Sequence, residues 1–252
     1  MARPEYGFRV ATFNIRNDTD RYSERKPLLV SAFVALSADL IGLQEVRLDG
    51  ERQDDLLAAA AGEHRLRSFD ARYRSHPDYG TTILAGIGEV LVHEVLPLSH
   101  GRPAHRILVA LPGDRTLWFA NTHLYHVAGR HDIRLEQVRA LCEWMAGAPA
   151  ATASIVLGDF NAPPSEPAYA AMKEAGYRSA FVEANGAEPP TTTPPAFEQP
   201  APPAGGPACV DYIWLSGEIR ARAAWVAADR PHPADPSLYP SDHFAVVADV
   251  VM

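Results

Sequence analysis

The residues of this chain that can do chemistry fall in short polar clusters, each at the C-terminal edge of an apolar run or in the turn after it. The clusters carry carboxylates, amides and imidazoles, and we find no covalent nucleophile motif among them. In chain order they read Phe13-Asn14-Ile15-Arg16, Leu43-Gln44-Glu45-Val46, Asn121-Thr122-His123-Leu124, Gly158-Asp159-Phe160-Asn161, Asp211-Tyr212-Ile213-Trp214 and Ser241-Asp242-His243, with a weaker one at Gly88-Glu89.

Carboxylate and amide oxygens that several strand ends bring to one place suit a hard divalent cation. Two histidines, each with a spare carboxylate, suit proton transfer or the stabilisation of an oxyanion. A metal, an acid–base pair and the lack of a nucleophile motif together favour hydrolysis by water, most naturally of a phosphoester.

Length, composition and net charge limit the fold and the possible substrates. The 252 residues fit one large β-containing domain over 1–252, with enough apolar content for a sizeable core. The net charge of −8 argues against a large basic surface built to grip nucleic acid. A nuclease is still allowed, because a bound metal supplies positive charge where the substrate makes contact.

The cysteines and the N-terminal sequence bear on the compartment. Cys142 and Cys209 stand alone with no CxxC, so we expect neither a zinc site nor a disulfide framework. The first residues lack the apolar region of a signal peptide, and no run approaches transmembrane length. We therefore expect a soluble, cytoplasmic protein that does not bind membranes and is a monomer.

The pattern of apolar residues predicts alternating strands and helices, with strands in the majority. The predicted strands cover residues 8–13, 39–43, 81–84, 90–96, 106–111, 117–120, 154–157, 212–215 and 244–250. One predicted helix has Pro27 in its first turn and continues through Leu36. The other predicted helices cover residues 54–61, 133–145 and 168–175.

One stretch, residues 188–207, is crowded with Pro, Thr, Ala and Gly. Proline lacks the donor that a strand ladder needs, so this stretch cannot join the interior of a sheet. It is either a surface excursion or a flap on the substrate side, since it leads directly into Asp211.

The clusters FNIR, LQEV, NTHL, GDFN, DYIW and SDH, in this order and spacing, resemble the endonuclease/exonuclease/phosphatase superfamily. That group includes deoxyribonuclease I, abasic-site endonucleases, neutral sphingomyelinases, inositol polyphosphate 5-phosphatases and deadenylases. The resemblance implies an α+β fold: a four-layer α/β/β/α sandwich of two mixed, mostly antiparallel sheets with outer helices. It also implies a metal site at one end of the sandwich.

The resemblance further assigns residues to that metal site. Glu45 is implied as the main carboxylate ligand, with Asn14 and Asp242 nearby, and the ion is Mg²⁺ or possibly Mn²⁺. The residues before Glu45 should be buried, and an unpaired carboxylate there would be costly without a cation or donors.

By the same resemblance, the remaining motif residues surround the scissile phosphorus. Asp159 and Asn161 lie beside it, His243 is paired with Asp211, and His123 faces the phosphate from the other side. Either His243 or Asp159 removes the proton from the attacking water. His123 either donates a hydrogen bond to the phosphate or protonates the leaving group.

Departures from the family pattern bear on the partners of these residues. Some abasic-site endonucleases carry a carboxylate where this chain has Arg16. The histidine of NTHL instead resembles the deoxyribonuclease, sphingomyelinase and phosphatase branches, which pair it with an upstream glutamate. Glu89 is the best local candidate for that partner.

Arginines and further histidines are candidates for substrate contact. Arg16, Arg106 and Arg134 are candidate phosphate clamps, although each could equally be a surface ion-pair partner. His126 and His131 follow the NTHL cluster closely enough to touch a substrate.

Three functional classes follow. The leading class is a phosphodiesterase, nuclease or phosphatase, and the negative charge favours a small or single-stranded substrate, either nucleic acid or a small phosphorylated molecule. A sphingomyelinase-like lipid phosphodiesterase would need an apolar wedge or a basic membrane face. A catalytically silent binding protein on the same fold would not need the intact set of polar residues.

The Pro-rich stretch generates a first prediction. Replacing residues 188–207 by a short Gly/Ser turn should alter substrate preference more than stability, because a stiff segment next to Asp211 restricts the cleft. The measurement compares rates on a small diester and on an oligonucleotide. Unchanged relative rates would instead identify an inert surface loop, whose length is tolerated because loop entropy grows slowly.

Overall fold

A computed structural model describes residues 5–62, 66–195 and 208–252. The described strands are β1 (Gly7–Asn14), β2 (Leu40–Arg47), β3 (Arg67–Arg72), β4 (Tyr79–Ala85), β5 (Glu89–Pro97), β6 (Pro103–Leu111), β7 (Arg115–His123), β8 (Ala153–Asp159), β9 (Arg178–Ser179), β10 (Asp211–Gly217), β11 (Arg220–Ala227) and β12 (Ala245–Val251). The described α-helices are α1 (Tyr22–Leu36), α2 (Gln53–Ala60), α3 (His131–Ala146), α4 (Pro167–Glu174) and α5 (Ala180–Asn185).

The strands form two sheets of 6 strands each. The first sheet has the order β11-β12-β1-β2-β4-β3, and the second has the order β5-β6-β7-β8-β10-β9. In each sheet one neighbouring pair is parallel, β1 with β2 and β7 with β8, and the other pairs are antiparallel. The predicted pair of mixed, mostly antiparallel sheets is therefore confirmed.

Three layers of apolar side chains hold the sandwich together. Val10 and Ile107, from the inner faces of the two sheets, belong to the central cluster between them. Leu29 of α1 packs with Ile41 on the outer face of the first sheet. Helices α3 and α4 cover the second sheet, where the outward-facing Trp214 belongs to their cluster. Since the central strands are buried on both faces, they read as nearly continuous apolar runs.

The parallel pairs decide where the polar clusters come together. Parallel strands need a crossover connection, and here α1 joins β1 to β2 while α3 joins β7 to β8. Both strands of a parallel pair therefore end at the same edge of the sheet. Asn14 is paired with Gln44 at that edge of the first sheet, and His123 with Asp159 at that edge of the second.

Below this edge the two sheets approach each other closely and are joined by hydrogen bonds. Gln44 Nε2 donates to Asn121 Oδ1 at 2.7 Å, and Asn121 Nδ2 donates to the Leu43 carbonyl oxygen at 2.9 Å. Both side chains are fully buried. Glycine at position 42 permits the approach, because a Cβ there would lie 2.1 Å from Leu157 Cδ1.

All nine predicted strands and three of the four predicted helices lie at the expected places, with ends shifted by a few residues. Strands β3, β9 and β11 and helix α5 were not predicted. Strands β3, β9 and β11 lie at sheet edges and are short or alternate arginine with small residues, so they lack the apolar run of a central strand.

The prediction that Pro27 lies in the first turn of the first helix is wrong, because α1 begins at Tyr22 and Pro27 lies in its second turn. The reason is a tertiary contact of Arg25, which is fully buried in the first turns of the helix. Its guanidinium donates to the backbone carbonyl oxygens of Ile15, Asn17, Thr19, Asp20 and Pro240. These bonds hold the N-terminal turn against the loop after β1, which a sequence pattern does not show.

Of the Pro-rich stretch, residues 188–195 are described and residues 196–207 lie outside the described part. The described part is bonded to the sandwich: the Thr192 hydroxyl donates to Asp211 Oδ2 and the Thr192 carbonyl oxygen accepts the Phe244 N–H, both at 2.6 Å. Replacing all of residues 188–207 would remove these contacts and lower stability, so the test of substrate preference keeps residues 188–195 and replaces residues 196–207. None of the described helices is long and apolar enough to cross a membrane.

The close approach of the sheets generates a second prediction. Gly42→Ala should lower the free energy of unfolding by about 1–3 kcal/mol, because the new Cβ forces the sheets apart. Gly7→Ala is the matched control, since a Cβ there meets nothing closer than 3.6 Å. Urea denaturation of both variants measures the difference, and equal stability would contradict tight packing at position 42.

Candidate active site

The predicted metal and catalytic residues, except Glu89, gather at the edge where β1, β2, β7 and β8 end. One part of the prediction was wrong: not every polar cluster follows an apolar run. Asp211 is the first residue of β10, and Asp242 and His243 directly precede β12. Because β10 and β12 run antiparallel to their neighbours, their N-terminal ends lie at the same edge.

Asn14 lies at the centre of the carboxylates of this site. Its Nδ2 donates to Glu45 Oε1 at 3.3 Å and to Asp159 Oδ2 at 3.0 Å. Its Oδ1 accepts the backbone N–H of Arg16 at 3.0 Å. Asn17 donates to the other oxygen of Glu45 at 2.9 Å. The buried amide thus joins a carboxylate of the first sheet to one of the second.

Glu45 reaches this cluster through an irregular backbone. Its φ is 53°, and the pairing of β2 with β4 shifts register between Leu43 and Val46. A β-bulge of this kind re-aims a side chain. Burial raises the pKa of the Glu45 carboxyl, and the nearby Asp242 raises it further. Ionising Glu45 here is therefore costly, both because the carboxyl is buried and because Asp242 lies nearby.

This donor set fits a hard divalent cation. Glu45 and Asp242 offer carboxylate oxygens, which are ligands that Mg²⁺ prefers, and Asn14 adjoins them with its Nδ2 toward Glu45 and its Oδ1 on the Arg16 N–H. Arg16 pairs with Asp242 and compensates only part of the charge. The remaining repulsion is what a bound cation would relieve.

A second group of candidate metal ligands adjoins the first. The ligand atoms of Asp159, Asp211 and His243 all lie within 4.8 Å of one another, close enough to hold a metal ion. The hydrogen bond predicted between Asp211 and His243 is present, with 2.9 Å between Asp211 Oδ2 and His243 Nδ1. That bond uses His243 Nδ1 and one oxygen of the Asp211 carboxylate. The three residues are therefore better arranged for holding a proton than for coordinating an ion.

Thr192, which the sequence did not single out, supports that pair. Its hydroxyl donates to Asp211 Oδ2 at 2.6 Å and accepts the Val210 N–H at 3.1 Å. Its carbonyl oxygen accepts the Phe244 N–H, next to His243. Burial opposes protonation of His243, but Asp211 and Asp159 outweigh it and hold the pKa of this imidazole well above its usual value.

Asp159 is fully buried between the two histidines. Its Oδ2 lies 3.4 Å from His123 Nε2 and 3.6 Å from His243 Nε2. Burial raises the pKa of the Asp159 carboxyl to about 6. Asn161 donates its backbone N–H to Asp159 Oδ1 at 2.8 Å, and its side-chain amide donates to the Leu124 carbonyl oxygen at 3.1 Å.

His123 has partners that the sequence did not predict. Tyr73 places its hydroxyl 2.8 Å from His123 Nδ1, and Arg102 places Nη1 3.0 Å from the same nitrogen. The predicted partner, Glu89, is exposed at the start of β5 and pairs with Ala110. Ala110 lies at the end of the second sheet opposite His123. The position predicted for Glu89 is therefore wrong.

Two of the three arginines predicted to bind phosphate form ion pairs with glutamates of the protein instead. Arg106 is buried, lies over Trp144 at 3.9 Å and pairs with Glu94 at 2.7 Å. Arg134 is buried and pairs with Glu166 at 2.8 Å. Each guanidinium is used by structural contacts, so neither is placed to clamp a phosphate.

Arg16 does lie at the site, although it is paired with Asp242 and with Asp20. Of the two further histidines, His126 lies 2.8 Å from Arg102 Nη2 and so adjoins the site, whereas His131 pairs with Glu166 at 3.0 Å. Tyr73, Arg102 and Thr192 gave no signal in the sequence, because each sits in a loop without a motif.

A sandwich of two such sheets, with carboxylate, amide and imidazole groups at one edge, defines the deoxyribonuclease I-like class of proteins. The chain belongs to the Endonuclease/Exonuclease/phosphatase family, whose model matches residues 11–243. The membership predicted from the motifs is confirmed. No protein with a curated description matches this sequence.

Solved structures share the fold at low sequence identity. The human Nocturnin catalytic domain with bound sulfate is 23% identical, with a TM-score of 0.76 over 97% of this chain and 94% of its own. D. rerio TDP2 complexed with a single-strand DNA product is 17% identical, with a TM-score of 0.77 over 97% and 98%. A Bacteroides thetaiotaomicron mannosyl-6-phosphatase is 19% identical, with a TM-score of 0.77 over 97% and 100%.

The contact of Thr192 with Asp211 generates a third prediction. Thr192→Val should shift the downfield proton resonance of His243 Nδ1–H and lower the free energy of unfolding by about 1–3 kcal/mol, because a buried carboxylate loses a donor. Thr192→Ser should restore both properties.

Thr191→Val is the matched control, since that hydroxyl bonds to the carbonyl oxygens of Thr193 and Ala208 and not to Asp211. An unchanged resonance in Thr192→Val would show that Asp211 holds His243 without help from Thr192.

Proposed function

We propose that this protein is a phosphoester hydrolase that depends on Mg²⁺ or Mn²⁺ and uses water to attack phosphorus in line. The observation that carries the proposal is the cluster of Glu45, Asp242 and Asp159 around Asn14, next to the Asp211–His243 pair. A charge-rich site that lacks a covalent nucleophile motif suits hydrolysis by water.

Glu45, Asn14 and Asp242 would hold the cation, with Glu45 as the main ligand. When bound, the ion neutralises the charge that builds on the phosphoryl oxygens. Mg²⁺ retains several waters, so few direct protein ligands are needed. Asp159, Asp211 and His243 are left to proton transfer, because Asp211 and His243 already share a hydrogen bond.

We assign the removal of the water proton to Asp159. A general base works best with a pKa near the working pH, and the pKa of Asp159 is raised to about 6. The pKa of His243 is raised well above its usual value by Asp211 and Asp159 against the effect of burial. In the proposed mechanism this imidazole carries the positive charge that stabilises the developing negative charge, while Asp211 fixes its orientation.

Two groups face the phosphate from the second sheet. His123 and Asn161 flank Asp159, and the Asn161 side chain is anchored by the Leu124 carbonyl oxygen. Asn161 steadies the attacking water or the phosphoryl oxygens, and His123 approaches the phosphate from the side opposite His243.

The substrate we propose is small or single-stranded, as in a phosphodiesterase, nuclease or phosphatase. The net charge of −8 and the structural use of Arg106 and Arg134 leave little positive surface for a long duplex. Structures that share the fold include one complexed with a single-strand DNA product and one named as a mannosyl-6-phosphatase, which agree with this range.

Two other functions have less support. A lipid phosphodiesterase needs an exposed apolar wedge, and of the large exposed apolar residues described, only Val127 lies in the loop after His123. A silent binding protein would not need an oriented Asp211–His243 pair. Free Cys142 and Cys209 agree with a reducing, cytoplasmic location, and we propose that the protein works there as a monomer.

The proposal is tested with a panel of phosphoesters assayed with and without Mg²⁺ or Mn²⁺. The panel should include a small diester, a sugar phosphate monoester, a short single-stranded oligonucleotide and sphingomyelin. Hydrolysis of one of the first three with metal, and none after chelation, is expected. Preferred hydrolysis of sphingomyelin, or none of any ester, would refute the proposal.

A fourth prediction concerns Glu45. Glu45→Gln should weaken metal binding and lower turnover by at least roughly 10–100-fold, the range seen when support for a bound metal is lost. Glu89→Gln is the matched control, because it makes the same chemical change on an exposed residue at the far end of the second sheet. Full metal-dependent activity in Glu45→Gln would remove Glu45 from the role of ligand.

A further inference from the structure

The two hydrogen-bond partners of the His123 Nδ1 atom are both donors. Two donors converge on its Nδ1, the Tyr73 hydroxyl at 2.8 Å and Arg102 Nη1 at 3.0 Å. An arginine has only donors, so Nδ1 must present its lone pair. The Tyr73 oxygen accepts the Glu45 N–H at 3.3 Å, which leaves its own proton for Nδ1. His123 is therefore the tautomer that carries its proton on Nε2.

The protonated nitrogen points into the site. Nε2 lies 3.4 Å from Asp159 Oδ2, the oxygen that also lies 3.6 Å from His243 Nε2. The ring is held there by its neighbours: Tyr73 packs edge-on at 5.8 Å, and the Arg102 guanidinium lies 5.0 Å from the centre of the Tyr73 ring. Tyr73 and Arg102 thus fix both the tautomer and the direction of the Nε2–H bond.

The charges around His123 oppose a second proton. Burial lowers the pKa of this imidazole well below its usual value, and Arg102, His243 and His126 lower it further. These groups face His123 from the segment before β6, the segment before β12 and the loop after β7. Asp159, at the end of β8, is the carboxylate beside the ring, and it lies on the Nε2 side. No carboxylate of the described residues lies at Nδ1, where the related branch has a glutamate.

We propose that His123 is a neutral hydrogen-bond donor to a non-bridging phosphoryl oxygen and does not protonate the leaving group, with Tyr73 and Arg102 as its positioning residues. The inference rests on the proposed hydrolysis. In that reaction the water oxygen forms the new bond to phosphorus and the bond to the leaving oxygen breaks. The water proton goes to Asp159, the leaving oxygen takes a proton from solvent, and His123 keeps its own.

The first experiment compares leaving groups. His123→Ala is assayed on a p-nitrophenyl ester and a methyl ester of the same phosphate. A lost donor to a non-bridging oxygen should slow both by a similar factor, roughly 10²–10³, and His123→Asn, which keeps a neutral donor, should recover part of the rate. A general acid matters most for the poor leaving group. A loss on the methyl ester about 100-fold larger than on the p-nitrophenyl ester would overturn the proposal.

The second experiment does not depend on activity. ¹⁵N NMR of the full-length protein should show His123 as the neutral Nε2–H tautomer from about pH 5 to 8. A doubly protonated ring in that range would overturn the proposal even if hydrolysis is confirmed. If no phosphoester is hydrolysed, the proposed function fails, while the spectrum still decides the state of His123.

The positioning residues are tested by Tyr73→Phe and Arg102→Met. Both should shift the His123 ring signals and lower kcat more than they change KM. Tyr79→Phe is the matched control, because the Tyr79 hydroxyl donates to Asp18 at 3.0 Å and not to His123. Unchanged His123 signals in both test variants would remove Tyr73 and Arg102 from this role.

Discussion

The structure depends on the hydrogen bond between Gln44 and Asn121, which joins the two sheets below the site. The candidate site combines groups from both sheets, since Asn14 and Glu45 come from the first while His123 and Asp159 come from the second. A buried amide pair is costly unless it is satisfied, and this pair is satisfied only at one separation and one register of the sheets. The packing of the core therefore also sets the distances of the site.

Charge is the second constraint on this edge. The carboxylates lie where burial disfavours ionisation, and the protein tolerates them because amides, hydroxyls and cationic side chains surround them. The charged partners are unequal: Arg16 pairs with Asp242 and His243 is hydrogen-bonded to Asp211, whereas the Glu45 carboxylate accepts from the Asn14 and Asn17 side-chain amides and forms no ion pair with the described residues. That inequality underlies the proposed division of the site into a metal-binding part and a proton-transferring part.

Much of the fold was readable from the sequence, because strands buried on both faces leave long apolar runs and a helix on a sheet leaves an amphipathic one. The motif residues at strand ends were readable for the same reason. The Asp211–His243 pair was readable too, but the partners of His123 were not. Glu89 was the candidate because related branches pair this histidine with an upstream glutamate, yet strand register places Glu89 and His123 at opposite ends of the sheet. Tyr73 and Arg102 replace it from loops whose course depends on tertiary packing.

The two sheets share one plan, in which a single parallel pair sits among antiparallel neighbours. In each, the helix that links the parallel strands lies on the outside of the sandwich, and the linking segments can change in length without moving the strand ends. Evolution can therefore remodel the rim of such a protein, where loops meet the substrate, while the inner residues keep their distances. Relatives with this fold can diverge widely in what they recognise and still retain one arrangement of reactive groups.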